Sequence, residues 1–157
     1  GNRQEFISLV QYYSDRLEIN PDWLMFVMYF ESRMNPAAVN KVSGATGLIQ
    51  FMPSTAQALG TTTEKLKYMS NVAQMPYVYR YLLPYKGKMK SMTDVYLAVF
   101  FPAAIGKPDD WVLQTKNLSA KKIADQNPIF DLNDDGQITK GEVTSYLKSW
   151  AKKKTLF

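Results

Sequence analysis

The sequence predicts a mainly α-helical domain, built around one buried central helix and holding at most a small β-sheet. Three features carry this reading. A nearly unbroken apolar run, Trp23 to Phe30, lies between a helix start at Asn20-Pro21 and a stop at Asn35-Pro36. Segments towards both ends of the chain space their apolar residues for a single buried face. Cap-forming clusters precede other apolar segments. At 157 residues the chain is one domain by length, residues 1–157, and can bury a core without staples. Hydrophobic residues at 46% and charged residues at 21% place it among ordinary globular chains. No internal repeat or low-complexity linker divides it.

The elements follow in order. Residues 4–18 form a first helix, with Phe6, Leu9, Val10, Tyr13 and Leu17 on its buried face. In the second, Asn20 caps, Pro21 takes the first helical position and Asp22 suits the positive end of the dipole. This helix runs to about Arg33 and is apolar nearly all round, so it is the central one. Residues 37–47 are a loop in which Gly44 and Gly47 allow close approach or positive φ. Leu48 to Met52 reads as a short strand or an extended passage. Pro53-Ser54-Thr55 starts a third helix with Gly60 as its C-cap. Thr61 and Glu64 are spaced as a capping box. Residues 70–83 form a tyrosine-rich helix, ended by Pro84 and Gly87 and followed by a basic loop at Lys86, Lys88 and Lys90. Ser91 to Asp94 caps a helix from Val95 to about Phe101, which Pro102 interrupts. Beyond Gly106 the pattern is irregular until a last helix, Lys140 to Lys153, with Val143, Tyr146, Leu147 and Trp150 on one face.

Composition narrows the chemistry. There is no cysteine, which excludes disulfides and thiolate metal sites. There is no histidine, which excludes Ser-His-Asp and Cys-His catalysis and the common zinc sites. Acid–base chemistry near neutral pH must then come from a shifted carboxylate, lysine or tyrosine. Glu31, at the end of the apolar run, is the candidate: burying a carboxylate is costly unless it is paired or protonated. The bland alternative is a helix-end carboxylate paired with Arg33 or a lysine.

Glu31-Ser32-x-x-Asn35-Pro36 is followed by Ser43-x3-Gly47-Leu48-x-Gln50-x-Met52-Pro53-x-Thr55. In order and spacing these two blocks resemble the signature of the lytic transglycosylase catalytic domain, within the goose-type lysozyme superfamily. Met69 to Leu83, with Asn71 and its tyrosines, resembles the helix that follows in that family. The resemblance implies an α+β lysozyme-like fold, with a substrate cleft beside the helix carrying Glu31. It also implies cleavage of the MurNAc-β-1,4-GlcNAc bond of peptidoglycan with formation of 1,6-anhydroMurNAc. Glu31 is then the single general acid/base, and burial should raise its pKa. By the same resemblance Ser43 orients around the reacting sugar, Gln50 hydrogen-bonds it, Met52 packs beneath a ring, and Gly44 and Gly47 let the loop approach the saccharide.

One departure is plain. Family members carry a late Tyr-Asn-x-Gly segment, and the corresponding Leu97 to Ala104 has no Tyr-Asn. Phe100 or Phe101 fills that space without a hydroxyl, and Tyr81 or Tyr96 is the substitute. Tyr77, Tyr81 and Phe100 complete the expected substrate-binding set. The departure points to a divergent branch of the kind phages carry. A hydrolytic muramidase is the alternative on the same bond. An inverting one needs a second carboxylate about 6.5–9.5 Å from the acid. The candidates are Glu64, Asp94, Asp109 and Asp110, of which Glu64 and Asp94 already have capping roles. A non-catalytic peptidoglycan-binding module is the other alternative.

A second motif lies at residues 131–142. Asp131, Asn133, Asp135, Gln137, Thr139 and Glu142 stand at positions one, three, five, seven, nine and twelve of an EF-hand loop. Gly136 makes the sharp turn and Ile138 is the apolar anchor. Gln137 offers its backbone carbonyl and Glu142 the bidentate carboxylate. A structural Ca2+ ion is the expected cofactor, and no organic one is expected. Pro128 leaves little room for a regular entering helix, and a lone loop points to stabilisation instead of sensing.

A net charge of +5 favours an anionic partner such as cell wall. The lysines are spread out and accompany no nucleic-acid motif, so peptidoglycan glycan strands are the expected partner and nucleic acid is not. No run reaches transmembrane length, and Gly1 to Glu5 does not resemble a signal peptide. The expected setting is the periplasm or cell wall, for a secreted or virion-borne protein acting as a monomer or within a larger assembly.

Overall fold

A computed structural model describes residues 2–154. It is mainly helical, with isolated β-bridges and no sheet among the described residues. The chain divides into two compact units, residues 1–95 and 96–157.

The first unit opens with α1 (Asn2–Leu17), whose buried stripe is Phe6, Val10, Ser14 and Leu17. Ser14 thus takes the core position expected of Tyr13. The Tyr13 ring is displaced to the edge of the stripe, where it stacks on Tyr79 at 4.8 Å. α2 (Pro21–Ser32) starts as expected: the Asn20 side chain accepts from the Asp22 amide at 2.8 Å, and Pro21 holds the first position. Leu24, Phe26, Val27 and Met28 are buried, which makes α2 the core helix of this unit. Arg33 closes it in the left-handed region (φ 54°), its amide returning to the Tyr29 carbonyl at 2.9 Å.

The chain then loops to α3 (Pro53–Ala58), α4 (Thr63–Lys67) and α5 (Asn71–Leu82). Leu48 to Met52 is neither a strand nor an extended passage. Thr46 and Phe51 exchange backbone hydrogen bonds of 2.9 and 2.8 Å around a tight turn, with Gln50 at φ 59°. The cap of α4 is Thr62, which accepts from the Lys65 amide; Thr61 is buried instead, so the expected Thr61–Glu64 box does not form. α5 is capped by Ser70 and packs on α1 through Tyr13–Tyr79.

α6 (Met92–Phe100) starts with Ser91 accepting from the Asp94 amide, three residues before the expected start. Its last residues belong to the second unit, where a 3-10 turn follows at Pro102–Ala104. The second unit also contains α7 (Ala120–Gln126), which the sequence reading missed. Only Ile123 and Ala124 of it are buried, too few to mark a period, although Ser119 caps it in the ordinary way. α8 (Lys140–Lys153) has the expected bounds and buries Val143, Leu147 and Ala151. Phe130 anchors an aromatic cluster with Tyr96, Phe100 and Tyr146 at centroid distances of 5.2–5.9 Å. No helix among the described residues is long and apolar enough to cross a membrane.

Candidate active site

Glu31 sits on the last turn of α2, one turn beyond the buried Val27 and Met28. Its carboxylate has no hydrogen bond or ion pair among the described residues. Arg33, the residue that would neutralise it in the bland alternative, turns onto Tyr29. There the guanidinium donates to the hydroxyl at 3.2 Å and lies 5.2 Å over the ring. Left with desolvation alone, the Glu31 carboxyl is pushed up to about 7. Tyr81, on α5, is near enough for the Glu31 charge to act on its phenol. Burial first, then Tyr85 and Glu31, push that phenol up to about 12, so the hydroxyl stays protonated beside the acid.

The loop after α2 is fastened to both helices through one residue. The Ser32 hydroxyl lies 2.9 Å from the Leu48 carbonyl and 2.9 Å from the Met28 carbonyl of its own helix, which share its one proton, and the Leu48 amide donates at 2.9 Å to Gln74 Oε1 on α5. Gln74 Nε2 donates to the carbonyls of Pro36 at 2.7 Å and Leu66 at 2.8 Å. Gly47 must be glycine here: its φ is 92°, and a Cβ would stand 2.7 Å from Gln74 Oε1. Ser32 was visible in the sequence as part of the Glu31-Ser32-x-x-Asn35-Pro36 block, without a role of its own. Gln74 carried a subtler signal, a polar residue in the same stripe as Val78 and Leu82. Replacing Ser32 by alanine leaves a buried carbonyl a partner short. Chemical denaturation should show about 1–3 kcal/mol of lost stability; a change within error would mean that the hydroxyl contributes no tie.

The other expected residues are placed as follows. Ser43 is exposed, and its hydroxyl accepts from the Ala45 amide at 3.2 Å as part of a turn. Gln50 Nε2 donates to the Ala38 and Gly47 carbonyls at 3.2 and 3.0 Å, which leaves its side-chain oxygen as the atom for a ligand. Met52 is 46% exposed at the start of α3, whereas Phe51 is buried and packs edge-on against Tyr81 at 6.1 Å. Tyr77 is half-buried, with Arg80 5.8 Å over its ring. Phe100 lies in the aromatic cluster of the second unit, 5.3 Å from Phe130.

The candidate second carboxylates have other surroundings. Glu64 is exposed in the first turn of α4. Asp94 is buried and accepts from the Lys90 amide at 2.9 Å. Asp109 and Asp110 are exposed in the second unit.

Residues 131–142 form a closed loop entered by a 3-10 turn at Pro128–Phe130 and left by α8. Oxygen atoms of Asp131, Asp135 and Glu142 lie within 4.8 Å of one another. Asp131 accepts from the amides of Asp135 and Gly136, at 3.2 and 3.0 Å, and Gly136 turns the chain at φ 79°. Glu142 accepts from Leu132 at 2.8 Å and Thr139 at 3.0 Å, while the Thr139 hydroxyl caps α8. The end of the loop is tied to residues 109–113 through the backbone. Leu113 donates to Ile138 at 2.8 Å, Lys140 to Trp111 at 2.9 Å and Gly141 to Asp109 at 2.8 Å. Asn133 and Gln137 are exposed at the loop surface.

Residues 8–76 match the family model described as Transglycosylase SLT domain. The matched segment contains Glu31, Ser32, the whole 36–55 loop and Gln74, and ends within α5. Neither the curated proteins nor the solved structures give a significant match to the chain.

Proposed function

We propose that the chain is a peptidoglycan lytic transglycosylase with Glu31 as its single general acid/base. The observation that carries this is an unpaired, desolvated carboxyl pushed up to about 7 inside the segment that matches the transglycosylase SLT domain. The carboxyl is substantially protonated near neutral pH and can donate to the glycosidic oxygen as the C1–O4 bond of the MurNAc-GlcNAc linkage breaks. The carboxylate so formed takes the proton of the MurNAc C6 hydroxyl, whose oxygen bonds to C1 and closes the 1,6-anhydro ring. Glu31 ends as it began, and no water is consumed. Because the nucleophile is intramolecular, one carboxylate suffices where typical glycosidases use two.

Tyr81 is the phenol beside the acid, in the role that the missing Tyr-Asn segment leaves open. The Gln50 oxygen and the exposed face of Met52 are the sugar contacts of the loop, and Gly47 permits close approach. The positive net charge attracts the chain to an anionic wall, its place of action. Mass spectrometry of digested peptidoglycan tests the chemistry. Anhydro ends are the expected products; products carrying an added water would assign the chain to the muramidases instead.

Residues 131–142 are proposed to hold a structural Ca2+ ion. The donor set fits a hard cation: three clustered carboxylates, the Asn133 side chain, the Gln137 carbonyl and Thr139, on a loop already turned at Gly136. When bound, the ion neutralises the mutual repulsion of Asp131, Asp135 and Glu142.

A further inference from the structure

We propose that Gln74 is the positioning residue of this site: its carboxamide fixes where the 36–48 loop stands between α2 and α5, and so where Glu31 stands relative to Tyr81. This rests on the reading of Glu31 as the acid. Gln74 is 0% exposed, and both donor hydrogens and the acceptor oxygen of its carboxamide are used on backbone groups. Those groups come from three separate stretches of chain, at Pro36, Leu48 and Leu66. The carboxamide can sit in only one orientation. Turning it over would set its NH2 against the Leu48 N–H and its oxygen against two carbonyls, unsatisfying every partner.

The tie leads to the acid in two steps. Gln74 holds the amide of Leu48, and Ser32, the next residue after Glu31, is 2.9 Å from the carbonyl of the same residue. On its own helix Gln74 precedes Tyr81 by seven residues, two turns along one face of α5. One carboxamide therefore registers the α2 end, which presents the acid, against the helix face that presents the phenol. The fit is close: at Gly47 there is no room for even a methyl group against Gln74 Oε1. Displacement of a reacting group by about an ångström can cost on the order of 10²-fold in rate.

The test uses two variants. Gln74→Met keeps the length of the side chain and removes all three hydrogen bonds. Gly47→Ala pushes on the same carboxamide from the loop side and leaves the α5 core as it is. Each is first shown to be folded at the assay temperature by circular dichroism. The kcat and KM values are then measured separately on soluble glycan strands, with amide exchange followed at Leu48. The expected result is a kcat lowered ~10²-fold in both variants, with KM nearly unchanged in Gln74→Met, and Leu48 exchange at least ~10-fold faster. A merely structural glutamine would lower the melting temperature and leave kcat of the folded protein intact. That result in either folded variant overturns the proposal. If the wild type cleaves no glycan, the functional reading fails by itself, and the Leu48 exchange rates still decide whether Gln74 holds the loop.

Discussion

Glu31→Gln is expected to abolish peptidoglycan cleavage and, at the same time, to stabilise the protein above neutral pH. The amide matches the carboxyl in shape but cannot give a proton to the leaving oxygen, a step worth typically ~10²–10⁴-fold. The stability effect has the opposite sign. Glu31 is raised from 4.5 to about 7 in the fold, so between those values the native state binds more protons than the unfolded chain. Wild-type stability therefore falls as pH rises from about 4.5 through about 7. A pKa unit is worth about 1.4 kcal/mol, so ionising this carboxyl costs the fold on the order of 3 kcal/mol above pH 7. The variant escapes that cost. Urea unfolding of both proteins at pH 4 and at pH 8 should show a gap that opens only at the higher value, and wild-type cleavage should decline over the same range as the acid loses its proton. Retained lysis by the variant, or a gap independent of pH, would remove Glu31 from the acid role.

Calcium is expected to raise the melting temperature. Three carboxylates held within 4.8 Å repel one another until a cation joins them. A ligand that binds only the native state at about 100 times its Kd adds roughly 2.7 kcal/mol. For a chain of this length that corresponds to an upward shift of about 5–10 °C. Asp131→Ala with Glu142→Ala should remove the calcium-dependent rise. The double variant will also start lower without calcium, because Glu142 belongs to the capping box of α8, worth about 0.5–2 kcal/mol. Scans with calcium and with a chelator separate the two effects. An unchanged wild-type melting temperature in calcium would count against the ion.

Much of the fold was legible because it is written locally. Asn20-Pro21 marks the start of α2 by capping chemistry that involves three neighbouring residues, and it held in the structure. The bounds of α8 follow from its apolar stripe and held as well, whereas its Thr139–Glu142 capping box emerged only in the structure. Where local signals were thin the reading failed. α7 has only two buried residues, and the stretch after Gly47 turns back on itself because Thr46 finds Phe51, a pairing that no propensity encodes. The choice of Thr62 over Thr61 as a cap turned on which hydroxyl the core would bury.

The candidate site divides along the same line. By itself the sequence determined which group could act as an acid, since a chain without histidine or cysteine has one carboxylate at the end of a buried helix, and it determined the spacing of the loop that follows. Only the tertiary structure decided that Arg33 turns away and leaves Glu31 unpaired, that Tyr81 comes near enough to feel its charge, and that Gln74 ties the loop in place. The physical reason is range. A cap or a helical period is satisfied within a few residues, whereas the pKa of a carboxyl and the partners of a buried amide depend on groups up to fifty residues away, which are neighbours only after the chain has folded.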